Sequence, residues 1–250
     1  MNVDSLLVKV KEIIRIYKLL RLPGGKIVSL PSGKGGVGKT VISLHLSAAL
    51  SQQGYATAVV DMNFALPNLH SYAGELPNKT VTHYLTGLCK LEELEKVNVK
   101  IGNSILHVYP SRSIVDLVRK PQIEKIPELL AYLKDKYDYI ILDLAPGVSK
   151  YSVYPVKLSD CVFVVTADER ASYIDATKIS KIFEVSGIKI SGYIINKYKK
   201  RRDSELENVI YRIPINSGVK KFPEIWNRKY LKSKLVKQFT ELAEMVIQIC

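Results

Sequence analysis

The residues best suited to chemistry form an octapeptide near the start of the chain. Residues 33–40 fit the pattern G-x-x-x-x-G-K-[ST] at every position. Glycines let consecutive backbone N–H groups curl around a phosphate, and a helix beginning there adds its positive end. In this pattern Lys39 reaches the β- and γ-phosphates and the Thr40 hydroxyl coordinates Mg²⁺. The predicted phosphate-binding residues are Gly33, Lys34, Gly35, Gly36, Val37, Gly38, Lys39 and Thr40.

A second lysine, Lys34, lies inside this loop. The sequence Lys-Gly-Gly-Val-Gly-Lys-Thr that it begins resembles the deviant Walker A motif of the ParA/MinD family of ATPases, and the resemblance extends over about residues 26–250. It implies ATP and Mg²⁺ as ligands and an ATP-dependent homodimer, in which Lys34 reaches the nucleotide of the partner subunit. A cation there offsets the charge that grows during phosphoryl transfer. The alternative is a solvated loop lysine.

Two aspartates follow apolar runs and are candidate magnesium ligands together with Thr40. Asp143 ends the run 139–142 and resembles the Walker B aspartate, which holds Mg²⁺ through water. Its alternative role is a cap after a buried strand. Asp61 follows the run 56–60 and resembles the first aspartate of the family's switch I. The later spacing of Asn68 and Gly74 is closer to the MinD branch than to the plasmid-partition branch.

One position departs from the family pattern. The second switch I aspartate, which positions the attacking water, is Asn63 in this chain. An amide can orient water but cannot take its proton. Either hydrolysis is slow or depends on an activating protein partner, or Asn63 is a turn residue and Asp61 carries the role. The resemblance implies these catalytic residues: Lys34, Lys39, Asp61 and Asn63.

Two further positions resemble the segments of the family that meet the base. Asn196, followed by Lys197, ends an apolar run, and its amide offers both the donor and the acceptor needed to recognise adenine N6 and N7. Pro214 matches a second segment, whose backbone lies along the base. The resemblance therefore implies that Asn196 and Pro214 bind adenine.

An alternation of strands and helices must position these residues. β-rich runs occur at 27–30, 56–60, 105–109, 139–142, 161–166, 190–195 and 209–213, and helical patterns occur at 41–53, 121–136, 173–185 and 231–249. Continuous apolar strands are typical of sheets that are buried on both faces. The alternation predicts an α/β fold with a mainly parallel sheet and helices on both faces, and the resemblance specifies the P-loop NTPase type.

A helical pattern precedes this domain. Apolar residues over 3–22 recur at the spacing of one helix face, and a Pro-Gly-Gly sequence follows. We predict an N-terminal amphipathic helix and linker over residues 1–25 and an ATPase domain over 26–250. The helix either docks on the domain, lies on a membrane surface or binds a partner.

Composition limits the remaining classes of protein. With 47% hydrophobic residues the chain is not mainly disordered, and it contains no apolar run long enough to span a bilayer. Cys89, Cys161 and Cys250 form no CxxC pair, which argues against a cysteine-ligated metal and predicts no disulfide framework. These features predict a cytoplasmic protein, with peripheral membrane or nucleoid association left open.

The formal charge of +13 is concentrated in the last third of the chain. Residues 178–237 contain 16 Lys/Arg against five Asp/Glu, with the densest run at 197–202. This basic third suits nonspecific DNA, an anionic membrane surface, or solubility alone. Two hypotheses follow: an ATPase switch that acts in spatial positioning such as DNA partition or division-site placement, or a nucleotide-gated regulatory scaffold with little turnover.

Overall fold

One sheet organises the part of the chain that the computed structural model describes, residues 24–199, 206–216, 222–227 and 231–250. Within these ranges it contains eight strands in the order β3-β4-β2-β5-β1-β6-β7-β8, all parallel except for the antiparallel pair β3–β4. The strands are β1 (Lys26–Ser29), β2 (Thr57–Met62), β3 (Val97–Ile101), β4 (Ser104–Tyr109), β5 (Tyr139–Leu144), β6 (Cys161–Ala167), β7 (Gly192–Tyr198) and β8 (Val209–Pro214). The predicted fold class is confirmed.

Along the sequence, the helices of the described residues connect these strands, and the last helix follows β8. They are α1 (Lys39–Gln52), α2 (Leu69–Ala73), α3 (Val81–Leu85), α4 (Ile114–Leu117), α5 (Ile126–Lys134), α6 (Lys150–Lys157), α7 (Arg170–Val185) and α8 (Lys234–Ile249). Short 3₁₀ turns lie at Leu91–Glu93, Ile123–Lys125 and Glu224–Trp226. The four predicted helices are present as α1, α5, α7 and α8. The predicted N-terminal helix over 3–22 lies outside the described residues.

The strand order explains where a ligand can bind. β1 lies between β5 and β6, and later strands add to the sheet on both sides of it. Strand order reverses beside β1, and ligands of open α/β sheets bind outside the carboxyl ends of the strands at such a point. The loop from β1 to α1, which holds the glycine-rich motif, is located there.

Helices cover both faces of the sheet. On one face, α1 and α8 pack against the central strands, and on the other face α5 and α7 do so. α1 and α8 also share a buried aromatic cluster: Trp226 Nε1 donates to His45 Nδ1 over 2.8 Å, and the His45 ring stacks on Phe239 at 4.7 Å between centroids. This cluster fixes the helix that follows the glycine-rich loop to the C-terminal part of the chain.

The cysteine prediction was wrong for two of the three residues. Cys161, at the start of β6, and Cys250, after the end of α8, are joined by a disulfide across 89 positions of sequence, while Cys89 is a free thiol. Sequence spacing could not reveal this, because α8 runs back across the sheet and ends beside β6. Within the described ranges, no helix has both the length and the apolar character needed to cross a membrane.

Candidate functional site

The glycine-rich loop has a backbone that requires glycine. Gly36 and Gly38 have φ values of +76° and +96°, in the left-handed region that favours glycine. Gly38 is also the N-cap of α1, and a Cβ there would collide with the amide nitrogen of Asn196. These constraints direct the loop into the amino end of α1, where the helix dipole favours an anion.

Lys39 is held beneath the loop. It is 7% exposed, and its Nζ donates to Ser32 Oγ over 2.6 Å. Ser32 Oγ in turn donates to the carbonyl of Lys34 over 2.8 Å, so the serine connects the lysine to the loop. Burial lowers the pKa of Lys39, while the nearby carboxylate of Asp143 acts in the opposite direction. A positive group is therefore placed against the inner side of the loop.

The three predicted magnesium ligands are brought together. Asp61 and Asp143 are paired in register on the neighbouring strands β2 and β5. Thr40 Oγ1 donates to Asp143 Oδ2 over 2.7 Å, and Ser43 Oγ lies 3.3 Å from Asp143 Oδ1. Hydroxyl and carboxylate oxygens are the ligands that Mg²⁺ prefers. The donor set at the carboxyl ends of these strands fits a magnesium ion beside the loop.

The electrostatics of the two aspartates support this fit. Both carboxyls are buried, and burial raises the pKa of each above its usual range. For Asp61 the charge of Asp143 adds to this effect, although Asp61 also accepts three backbone N–H bonds, from Asn63 (3.0 Å), Asn68 (3.0 Å) and Leu69 (3.1 Å). Two adjacent buried acids favour a bound cation, since a cation removes their repulsion.

Asn63 closes the turn that follows β2. Its Nδ2 donates to the carbonyl of Leu66 over 2.8 Å, and its Oδ1 lies 3.4 Å from the Leu66 N–H that donates to it. This geometry favours the turn-residue interpretation of Asn63. A role in orienting water stays a prediction.

Lys34 forms an ion pair within its own chain. Its Nζ lies 2.5 Å from Glu169 Oε1, and the two side chains are 40% and 52% exposed. Glu169 is the N-cap residue of α7. Solvent-exposed ion pairs contribute little to stability, so this contact leaves Lys34 free to exchange partners. Its role across a dimer stays a prediction.

Asn196 and Pro214 lie at the same edge of the sheet, at or near the carboxyl ends of β7 and β8. Asn196 Nδ2 donates to the carbonyl of Val37 over 2.8 Å, and its Oδ1 accepts the backbone N–H of Lys197 over 2.8 Å. Lys197 Nζ donates to the carbonyl of Gly36 over 2.8 Å. The structure thus gives Asn196 a partner in the phosphate loop, and binding of adenine by Asn196 or Pro214 stays a prediction.

Sequence reasoning missed three members of this site. Ser32 directly precedes the motif in the loop after β1, and Ser43 follows it on α1. Their position next to the motif is the signal that could have found them. Glu169 is 135 residues from Lys34, and no spacing rule connects the two. Only the strand order brings the end of β6 next to the loop after β1.

Comparison with known proteins identifies related chains. Residues 28–235 match the family model of the CobQ/CobB/MinD/ParA nucleotide binding domain. A putative septum site-determining protein MinD of Guillardia theta is 32% identical over 177 residues, which is 70% of this chain and 64% of that relative. The chain therefore spans less than two thirds of the length of this relative.

Solved structures are also similar. The cell division ATPase MinD of Pyrococcus furiosus superimposes with a TM-score of 0.77 at 26% identity, covering 90% of this chain and 100% of that one. The septum site-determining protein MinD of Pyrococcus horikoshii, complexed with Mg-ADP, gives 0.75 at 27% identity and covers 89% of this chain and 96% of that one.

The buried aspartates predict how stability depends on pH. A carboxyl with a raised pKa holds its proton more tightly in the folded than in the unfolded state. Its contribution to the free energy of unfolding therefore falls as the pH rises above about 4. We expect the ligand-free chain to lose more stability from about pH 5 to about pH 8 than its Asp61→Asn variant. The slopes of the free energy of unfolding against pH should differ between the wild type and Asp61→Asn by up to about 1.4 kcal/mol per pH unit. Urea unfolding in the presence of a chelator measures it.

The matched control is Asp116→Asn, which removes an exposed carboxylate from α4. Its pH dependence should follow that of the wild type. Parallel slopes for the wild type and Asp61→Asn would contradict the raised pKa of the buried Asp61 carboxyl.

Proposed function

The chain belongs to the CobQ/CobB/MinD/ParA family of nucleotide-binding domains, and from that premise we propose that it is an ATP-dependent switch acting in spatial positioning, such as DNA partition or division-site placement. Its ligands are ATP and Mg²⁺. The observation that carries the proposal is the convergence of Lys39, Thr40 and Asp143 at the glycine-rich loop, with the Thr40 hydroxyl donating to Asp143 over 2.7 Å.

Each of these residues has a distinct task. The loop N–H groups and the amino end of α1 bind the phosphates, and the Lys39 ammonium balances their charge. Thr40 and Asp143 hold Mg²⁺, with Asp61 behind them on β2. When bound, the metal neutralises negative charge on the phosphates. Burial of Lys39 and Asp143 keeps water from weakening these interactions.

Dimerisation couples the nucleotide to assembly. We propose that Lys34 leaves Glu169 and contacts the nucleotide of a second copy, so that the dimer forms only with ATP. The exposure of the Lys34–Glu169 pair supports this exchange, because a surface ion pair is weak and is open to competition from phosphate.

Hydrolysis distinguishes the two candidate functions. An ATPase switch turns over, slowly or with an activating protein partner, whereas a regulatory scaffold holds ATP with little turnover. The hydrogen bonds of Asn63 to Leu66 favour slow turnover, since they occupy both ends of its amide in the loop. A partner that opened this turn would release Asn63.

The basic third of the chain, residues 178–237, supplies the attachment surface. We propose that it binds an anionic polymer or membrane, with two copies in the dimer strengthening the attachment. One described element favours a membrane: α7 exposes Lys178 and Lys181 beside Ile182 and Val185, whose side chains are 41% and 91% exposed. Apolar and cationic side chains on one helix face suit the boundary of an anionic bilayer.

The two lysines of the loop should have separable effects. Lys39→Ala should abolish ATP binding, because it removes the buried cation beside the phosphates. Lys34→Ala should keep ATP affinity within about threefold of the wild type, as expected when only an exposed pair is lost, but lose dimerisation with a slowly hydrolysed ATP analogue. Calorimetry and analytical ultracentrifugation measure the two properties. Glu169→Gln is the control, which should still dimerise. An undiminished Lys34→Ala dimer refutes the assigned role.

Restoring the family residue at position 63 should raise turnover. We expect Asn63→Asp to increase steady-state ATP hydrolysis at least about tenfold, since a carboxylate can accept the proton of the attacking water. Asn78→Asp adds the same charge at an exposed site and should change nothing. A wild-type rate at background with DNA, vesicles and partner proteins would favour the scaffold. An unchanged hydrolysis rate in Asn63→Asp would show that residue 63 acts only as a turn residue and takes no part in hydrolysis.

Charge reversal should identify the anionic partner. We change Lys199, Lys200, Arg201 and Arg202 to Glu and measure gel shift on DNA and flotation with anionic vesicles, each with and without ATP. Loss of a salt-sensitive DNA shift identifies nucleic acid, and loss of flotation identifies the membrane. The control reverses four exposed lysines elsewhere, Lys90, Lys100, Lys136 and Lys157. If both variants change DNA binding and flotation equally, the basic third has no specific role in attachment and serves solubility alone.

A further inference from the structure

The carboxyl end of β7 holds the glycine-rich loop from outside at two successive carbonyls. Lys197 Nζ donates to the carbonyl of Gly36, and Asn196 Nδ2 donates to the carbonyl of Val37, each over 2.8 Å. The two donors are 161 and 159 residues from their acceptors, so the contact is made by tertiary structure alone. Neither bond is needed to complete the sheet.

Peptide geometry gives these two bonds a consequence on the other side of the loop. In a trans peptide the C=O and the following N–H point in opposite directions. Holding the Gly36 carbonyl toward β7 turns the Val37 N–H away from β7. Holding the Val37 carbonyl does the same for the Gly38 N–H. Both N–H groups are therefore presented to the inner side of the loop, where a phosphate would accept from them.

We call Asn196 and Lys197, with their two hydrogen bonds to the loop, the clamp; both residues are themselves held in place. The Asn196 side chain accepts the Lys197 N–H through Oδ1, and the Asn196 carbonyl accepts the N–H of Asp168 over 3.1 Å. Lys197 has a φ of +56°, which few non-glycine residues adopt. This left-handed residue lies where the register between β7 and β8 shifts, between Ile195 and Tyr198, and it accompanies the approach of the lysine side chain to Gly36. Backbone conformation of this kind at a functional edge is consistent with a positioning role.

We propose that Asn196 and Lys197 are positioning residues that fix two N–H groups of the phosphate loop. The inference rests on the proposed function, because it concerns the same phosphate site, and it changes the task of Asn196. The family resemblance implies contact with adenine, whereas these hydrogen bonds assign the amide to the loop. Phosphate affinity, rather than choice of base, then depends on both residues.

A ligand without a base separates the two roles. We measure binding of ATP, GTP and tripolyphosphate, each with Mg²⁺, to the full chain by calorimetry. The variants are Asn196→Ala, Lys197→Met and Lys197→Arg. Methionine keeps the length of the lysine stem without its donor, and arginine keeps a charged donor. Lys157→Met removes an exposed lysine from α6 and is the matched control.

We expect Asn196→Ala and Lys197→Met to weaken ATP and tripolyphosphate binding alike, by about 5- to 10-fold each, as suits one lost hydrogen bond at a partly exposed site. The ratio of ATP to GTP affinity should not change. Lys197→Arg should recover most of the loss, and Lys157→Met should bind like the wild type. Rescue by arginine would not follow from a merely structural role of the lysine stem.

The opposite results would overturn the inference. If Asn196→Ala loses only ATP affinity, reduces the preference over GTP and leaves tripolyphosphate unchanged, the residue binds the base. If Lys197→Met binds all three ligands like the wild type, the loop needs no clamp. A wild type that binds neither ATP nor tripolyphosphate would instead refute the proposed function. Circular dichroism verifies the folding of each variant, and Lys197→Met decides the matter if Asn196→Ala does not fold.

Discussion

A buried carboxylate at the end of a central strand is the constraint around which the site is arranged. Asp143 is buried. It lies next to Asp61 on the adjoining strand, and the hydroxyls of Thr40 and Ser43 contact it. Removing such a charge from water costs several kcal/mol unless it is compensated. The hydroxyls, Lys39 and a bound cation supply that compensation, so folding and ligand binding depend on the same group.

The second constraint is the strand order. Because β1 lies between β5 and β6, residues far apart in sequence meet at one edge of the sheet. The loop after β1 is supported from within by Ser32 and Lys39 and from outside by the end of β7. Glu169, after β6, reaches Lys34 at the same edge. The loop is thus held on several sides before any phosphate arrives, which reduces the entropy lost on binding.

Sequence alone predicted much of this arrangement, for identifiable reasons. The glycine-rich loop could be predicted because its left-handed dihedral angles favour glycine. Strand β5 could be predicted because a strand buried on both faces is continuously apolar. β3 escaped prediction since its alternating exposure is a weaker signal. The pairs Lys34–Glu169 and Asn196–Val37 could not be predicted, because they depend on which strand ends become neighbours. The disulfide between Cys161 and Cys250 was missed for the same reason.

The aromatic cluster between α1 and α8 has a consequence for spectroscopy. Trp226 is the single tryptophan of the chain, is fully buried, and donates to a histidine on the helix that begins at Lys39. Its indole emission therefore comes from one environment, set by the imidazole beside it and by the packing of that helix. The protein carries an intrinsic fluorophore that reports on its phosphate-binding helix without any attached dye.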